Sequence, residues 1–264
     1  MRQAVADYEV VEVIGTTPAG RPRFLCRPPS RLMDDEPVTV TELAVDASGW
    51  TRLIAALARY VAVGSDHLLR VIEVGPDLER PTPGVYLVTE RSSPWPAGAG
   101  ADGLRVARDV ARVALGAHAM HETGLAHGRI DPAAVVSGDR GALLGPPPLD
   151  DPPGTVARAA DGMTLPYIDP VLLAGEEPSR ASDVWSLGAL LHSVLSTLPL
   201  YPGLARDQPV TAVQKVMFTR PVVDQDLPAW AGDLVASCLA RDPTRRPSTA
   251  LDVAEAIHAR TPEP

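Results

Sequence analysis

A helix-patterned run over residues 102–122 stops at Thr123-Gly124, and a loop begins at once: His121-Glu-Thr-Gly-Leu-Ala-His127-Gly-Arg-Ile-Asp-Pro-Ala-Ala-Val-Val136. In that run Leu104, Ala107, Ala111, Ala114 and Leu115 share one stripe, while Arg105, Arg108, Asp109 and Arg112 fall off it. The period predicts an amphipathic helix with one buried side. Gly124 suits the left-handed turn that ends such a helix. A second helix is expected over 182–196, with Ser182 as its N-cap and Val184, Leu187, Leu191, Val194 and Leu195 as its apolar bulk. Segments near 209–218, 228–240 and 249–259 read as further helices, the last two separated by Asp242-Pro243. The second half of the chain is therefore mainly helical.

The first ninety residues carry a different period. Residues 8–14, 23–26, 38–43, 67–74 and 85–90 read as strands, and 50–63 as a helix with Leu53, Leu57 and Tyr60 on its apolar face. Pro76, Pro81 and Pro83 fit a hairpin loop between the last two strands, and 92–100 is a linker by composition. Gly141-Ala-Leu-Leu144 is one more short strand.

Composition narrows the chemistry. A 264-residue chain with 45% apolar residues can build a real core. A net charge of −9 argues against nucleic acid or an anionic membrane as the main partner. Cys26 and Cys238 follow no metal or redox spacing, and no signal peptide is evident, so a reducing, cytoplasmic setting is expected. The apolar runs are too short to span a bilayer, although a cytosolic domain of a longer membrane protein fits equally well. The chain has a single lysine, Lys215, and no asparagine.

The loop at 121–136, Ser182-Asp-Val-Trp-Ser-Leu-Gly188 and Arg241-Asp-Pro-Thr-Arg-Arg-Pro-Ser248 resemble, in order and spacing, the large lobe of a eukaryotic-type (bacterial) Ser/Thr protein kinase. The resemblance implies an α+β, bilobal fold in one domain over 1–264. A β-rich N-lobe with one helix would cover 1–90, and a larger, mainly helical C-lobe 91–264. It implies that His127, Asp183 and Arg246 are structural: Asp183 would hold backbone amides of the catalytic loop. Arg246 would seek an acid, because Val171 replaces the glutamate of the A-P-E motif in Pro166-Tyr-Ile-Asp-Pro170-Val171. Asp169 and Glu176 are the acids within reach by sequence, and solvent is the alternative.

The same resemblance exposes a set of departures. A kinase reads H-R-D-L-K-P-x-N where this chain reads His127-Gly-Arg-Ile-Asp-Pro-Ala-Ala134. The proton-accepting Asp position holds Arg129, the Lys position Asp131 and the metal-binding Asn position Ala134. A guanidinium stays protonated and cannot accept a hydroxyl proton. The small-lobe Lys position holds Thr41, and no acid lies between Asp46 and Asp66 to supply its glutamate partner. Where D-F-G should stand is Gly145-Pro146-Pro147-Pro148. Asp150 and Asp151 follow, in a Pro-rich loop that is not expected to hold a metal. In Gly15-Thr-Thr-Pro-Ala-Gly20 the middle glycine of the phosphate loop is Thr17, and Pro18 has no N–H to offer. Gly15, Gly20, Thr89 and Glu90 are what the resemblance leaves as nucleotide-cleft residues, and Thr155 and Thr164 are the hydroxyls of the activation segment open to phosphorylation.

Phosphoryl transfer is almost wholly positioning and charge stabilisation, so a cleft without its charged groups has little to catalyse with. The expectation is a pseudokinase with no cofactor and no metal. It would act as a protein-binding or regulatory scaffold in signalling, its partner an active Ser/Thr kinase or a phosphothreonine-reading protein. The alternatives are a nucleotide-binding switch and an atypical transferase using the same cleft.

Overall fold

The computed structural model describes residues 3–17, 20–32, 35–43, 47–77, 84–96, 102–148, 164–205 and 207–262. The chain opens with β1 (Ala4–Val5), β2 (Tyr8–Thr16), β3 (Pro22–Arg27) and β4 (Val38–Leu43). Helix α1 (Ala47–Val63) follows, then β5 (Val71–Asp77) and β6 (Gly84–Glu90). These strands form one six-stranded antiparallel sheet in the order β1-β2-β3-β4-β6-β5. Alternation sorts their side chains: Phe24, Cys26, Val38, Val40, Tyr86 and Val88 make one small core, while Leu43, Val85 and Leu87 pack against Leu53 and Leu57 of α1.

Two expectations about this lobe are corrected. The strand read at 67–74 begins only at Val71 and runs to Asp77, so Pro76 lies in a strand rather than in a turn. Residues 67–69 instead cross to the other lobe. Leu68 bridges Leu144, and the Leu69 N–H donates to the Leu144 carbonyl at 2.9 Å. That lobe-to-lobe pairing uses backbone groups that the apolar pattern alone assigns to a continuous strand. Pro81 and Pro83 lie outside the described residues.

The second lobe begins with β7 (Ser93–Pro94) and α2 (Gly103–Glu122), capped by Asp102, which accepts from the Leu104 N–H at 3.0 Å. Strands β8 (Val135–Gly138) and β9 (Gly141–Leu144) complete a three-stranded sheet, β7-β8-β9. Then come α3 (Pro170–Leu173), α4 (Arg180–Leu195), α5 (Pro209–Phe218), α6 (Ala229–Cys238) and α7 (Ala250–His258). The two-lobed α+β architecture is the one the resemblance implied.

The larger core gathers around α2 and α4, and α4 is buried along most of its length. The expected stripe on α2 is buried at Ala107, Ala111 and Ala114 but not at its start. Leu104 is 53% exposed, whereas Asp109 is buried because the Trp95 indole N–H donates to its Oδ2 at 3.0 Å. The cap of α4 is also shifted. Ser179 is the N-cap, and Ser182 closes a reciprocal capping box three residues on: each side chain accepts from the other's backbone N–H, at 3.2 and 2.9 Å. Cys26 and Cys238 are buried in separate lobes and are not joined in a disulfide. Among the described residues no helix is long and apolar enough to cross a membrane.

A buried tyrosine adds to the contacts between the lobes. Tyr60 of α1 is buried, and its hydroxyl lies 2.8 Å from the carbonyl oxygens of both Leu69 and Leu144.

Candidate functional site: the cleft between the lobes

The loop after α2 is held from beneath by a single carboxylate. Asp183, fully buried one turn inside α4, accepts from the His127 N–H at 2.7 Å and from the Gly128 N–H at 2.8 Å. Its Oδ2 is also 2.8 Å from Nε2 of His121 on α2. One acid thus ties α2, the loop and α4 together, and its hydrogen bonds explain a charge kept at such depth. Gly128 has φ +81, and an added Cβ would sit 2.9 Å from a side-chain carbon of Pro178, so both conformation and packing require glycine.

The loop's own side chains are turned to structural use. His127 is buried and its Nδ1 accepts from the Arg129 N–H at 3.3 Å. Burial pushes its pKa down to about 4, with the Asp183 charge acting in the opposite sense, so the ring is neutral at physiological pH. Asp131 caps the turn at 132–134, its Oδ1 accepting from the Ala133 and Ala134 N–H groups at 2.9 and 3.0 Å. The Nε of Arg129 lies 4.0 Å from the other Asp131 oxygen. Ala134 presents only its backbone, the carbonyl accepting from the Gly145 N–H at 2.8 Å.

Above this loop is a cleft of about 550 Å³. Its walls include Gly15, Thr41 and Thr89 from the sheet and Arg129, Ala134, Gly145 and Pro146 to Pro148 from the other lobe. Most of the residues singled out from the sequence are therefore brought together. Glu90 is not among them. Its side chain turns behind the cleft, accepting from the Arg70 N–H at 2.8 Å and pairing with Arg140. Gly20 closes a tight turn, φ +72, its N–H donating to the Thr17 carbonyl at 2.8 Å, and does not line the cleft. Thr164 is buried at 8% exposure, so its hydroxyl is shielded. Pro18, Asp150, Asp151 and Thr155 lie outside the described residues.

One charged cleft residue was missed from the sequence, where it was read only as part of a strand. Arg23 sits on β3 directly across from Thr41 of β4, facing the cleft. The signal was present in the two-residue alternation. Phe24 and Cys26 point into the small core, so Arg23 and Leu25 must take the other face. Burial pulls the Arg23 pKa below its usual value, and Nη2 donates to the Ser92 hydroxyl at 3.3 Å. On the described lining Arg23 and Arg129 are the charged side chains, and no carboxylate joins them.

Away from the cleft, Arg246 meets Asp169, two positions before Val171. Both side chains are 1% exposed and directly paired. Nη1 of Arg246 also donates to the Ala181 carbonyl at 2.7 Å and Nε to that of Ala240 at 2.8 Å. The guanidinium lies 5.0 Å from the Trp185 ring centroid.

Comparison with known proteins bears on this geometry. Residues 156–259 match the family described as Protein kinase domain. The chain is similar to protein kinase domains. Serine/threonine-protein kinase PknK of Mycobacterium tuberculosis is 30% identical over 151 residues, 53% of this chain and 13% of that protein. The probable serine/threonine-protein kinase PkwA of Thermomonospora curvata is 29% identical over 259 residues, 93% of this chain and 33% of that protein. A putative cyclin-dependent kinase F-2 of Oryza sativa is 30% identical over 171 residues, 60% of this chain and 45% of that protein. The chain spans less than half the length of each of these relatives.

Proposed function

We propose that this kinase-like domain does not transfer phosphoryl groups and serves as a protein-binding or regulatory module in signalling. The observation that carries the reading is the charge pattern of the cleft: two arginines and no carboxylate on the described lining, with Arg129 in the loop position of the proton acceptor. Phosphoryl transfer needs acids or amides to hold metal ions and an acceptor for the hydroxyl proton. Asp131, the acid nearest the loop centre, is spent on capping a turn. Loss of chemistry has not cost the scaffold, since Asp183, His127 and Arg246 still organise the large lobe.

The relatives are named as Ser/Thr kinases, and a domain similar to them in sequence is suited to engage an active kinase or a protein that reads its phosphothreonines. The test is phosphate incorporation from labelled ATP with Mg²⁺ or Mn²⁺, into the domain itself and into a generic protein substrate. No incorporation above a mock purification is expected. Metal-dependent incorporation that travels with the domain and disappears in Arg129→Ala would overturn the proposal.

A further inference from the structure

Among the described residues the charged side chains lining the cleft are two arginines, Arg23 and Arg129, the second with an Asp131 oxygen 4.0 Å from its Nε. Arg23 approaches it from the sheet and Arg129 from the loop below. A guanidinium offers five N–H donors in a rigid fork. Among the described residues Arg23 gives one hydrogen bond, to the neutral Ser92 hydroxyl at 3.3 Å. Desolvation lowers its pKa with no carboxylate contributing, so the folded protein holds a cation under strain from burial that an arriving anion would relieve. The rest of the wall is apolar where Leu87, Val136 and the Trp95 ring face the space, and the volume is that of a small-molecule site. In an active kinase the ligand's phosphate charge is neutralised largely by divalent metal; here the protein supplies the positive charge directly.

We propose that the cleft binds a small organic oxyanion, phosphate- or carboxylate-bearing, without a divalent cation. Its charged end lies between Arg23 and Arg129, and its apolar body lies against Leu87, Val136 and Trp95. The proposal rests on reading the cleft as inert toward phosphoryl transfer.

The test is calorimetric titration of the whole chain at low ionic strength in EDTA, with ADP, inorganic pyrophosphate, citrate and, as the uncharged comparison, adenosine. At least one anion is expected to bind saturably, and which of ADP, pyrophosphate or citrate binds tightest identifies the source of the oxyanion. Arg23→Gln is expected to weaken that binding at least about tenfold, because a charge-assisted fork is lost. Arg129→Gln should act in the same direction, and added salt should weaken the wild type. If Arg23→Gln fails to fold, the Arg129→Gln and salt arms decide. No heat from any anion, adenosine binding as tightly as ADP, or undiminished binding by the folded variants would overturn the proposal. Binding of ADP only when Mg²⁺ replaces EDTA would overturn it too. Those results leave the inert reading standing, which falls only to metal-dependent transfer from ATP.

Discussion

Replacing Asp169 by Ala probes the corner where Val171 stands in place of the glutamate of the A-P-E motif and a buried ion pair is formed by Asp169 instead. The substitution leaves the Arg246 guanidinium 1% exposed with no acid beside it. Breaking a buried pair from one side costs about 3–5 kcal/mol. The Ala181 and Ala240 carbonyls and the Trp185 ring remain, which places the cost near the lower figure, about 3 kcal/mol. Asp169 also caps α3, accepting from the Val171 N–H at 3.2 Å, and losing an N-cap adds about 1 kcal/mol. The expected total is about 4 kcal/mol, a large share of the roughly 5–15 kcal/mol that holds a typical domain together. Urea unfolding followed by far-UV circular dichroism measures it, provided the slope m is unchanged. Asp169→Leu with Arg246→Met removes both charges and should cost about 1–2 kcal/mol, less than the single change. Adding Val171→Glu to Asp169→Ala restores an acid at the motif position and should recover at least about 1 kcal/mol. A loss below about 1 kcal/mol for Asp169→Ala, or a double variant less stable than the single one, would refute the reasoning.

Two further outcomes follow from the cleft floor and the α4 packing. Burial holds His127 at a pKa of about 4 against 6.5 for an ordinary histidine, so between these values the unfolded chain takes up a proton that the folded one refuses. Its contribution is fully present above pH 6.5 and is lost as pH falls toward 4, up to about 3 kcal/mol. His67 and His192 are lowered as well, so His127→Gln should flatten the fall in stability between these pH values without abolishing it. Gly188 of α4 faces α6 so closely that an added Cβ would lie 2.3 Å from the Cys238 Cβ. Gly188→Ala should cost about 1–3 kcal/mol by overpacking, and Cys238→Gly in the same chain should return part of it, both read from the melting temperature.

Much of the fold was legible in the sequence, because helices and strands write their period locally. The run ending at Gly124, the five strands and the helix at 209–218 were placed to within a few residues by apolar spacing and by turn residues. The cleft was legible in part. Thr41, Arg129, Ala134 and Gly145 were identified as positions, and the sheet and loop do bring them to one space. Arg23 was hidden because an arginine in a short strand looks like surface until the strand's partner is known. Glu90, placed at the cleft by the resemblance alone, pairs with Arg140 instead, a contact between sequence-distant residues that no local pattern reports.

The sequence by itself determined the helix and strand order, since these depend on contacts within a turn or a strand, while the two-lobed plan and the reactive positions were implied by the resemblance of three large-lobe motifs. Only the tertiary structure decided how charges pair. Arg246 finds Asp169 across 77 positions, Asp183 reaches back 56 positions to the His127 N–H, and Arg23 meets Thr41 through strand register. A buried charge is stable only beside a partner of matching geometry, and that geometry exists only once the lobes have packed.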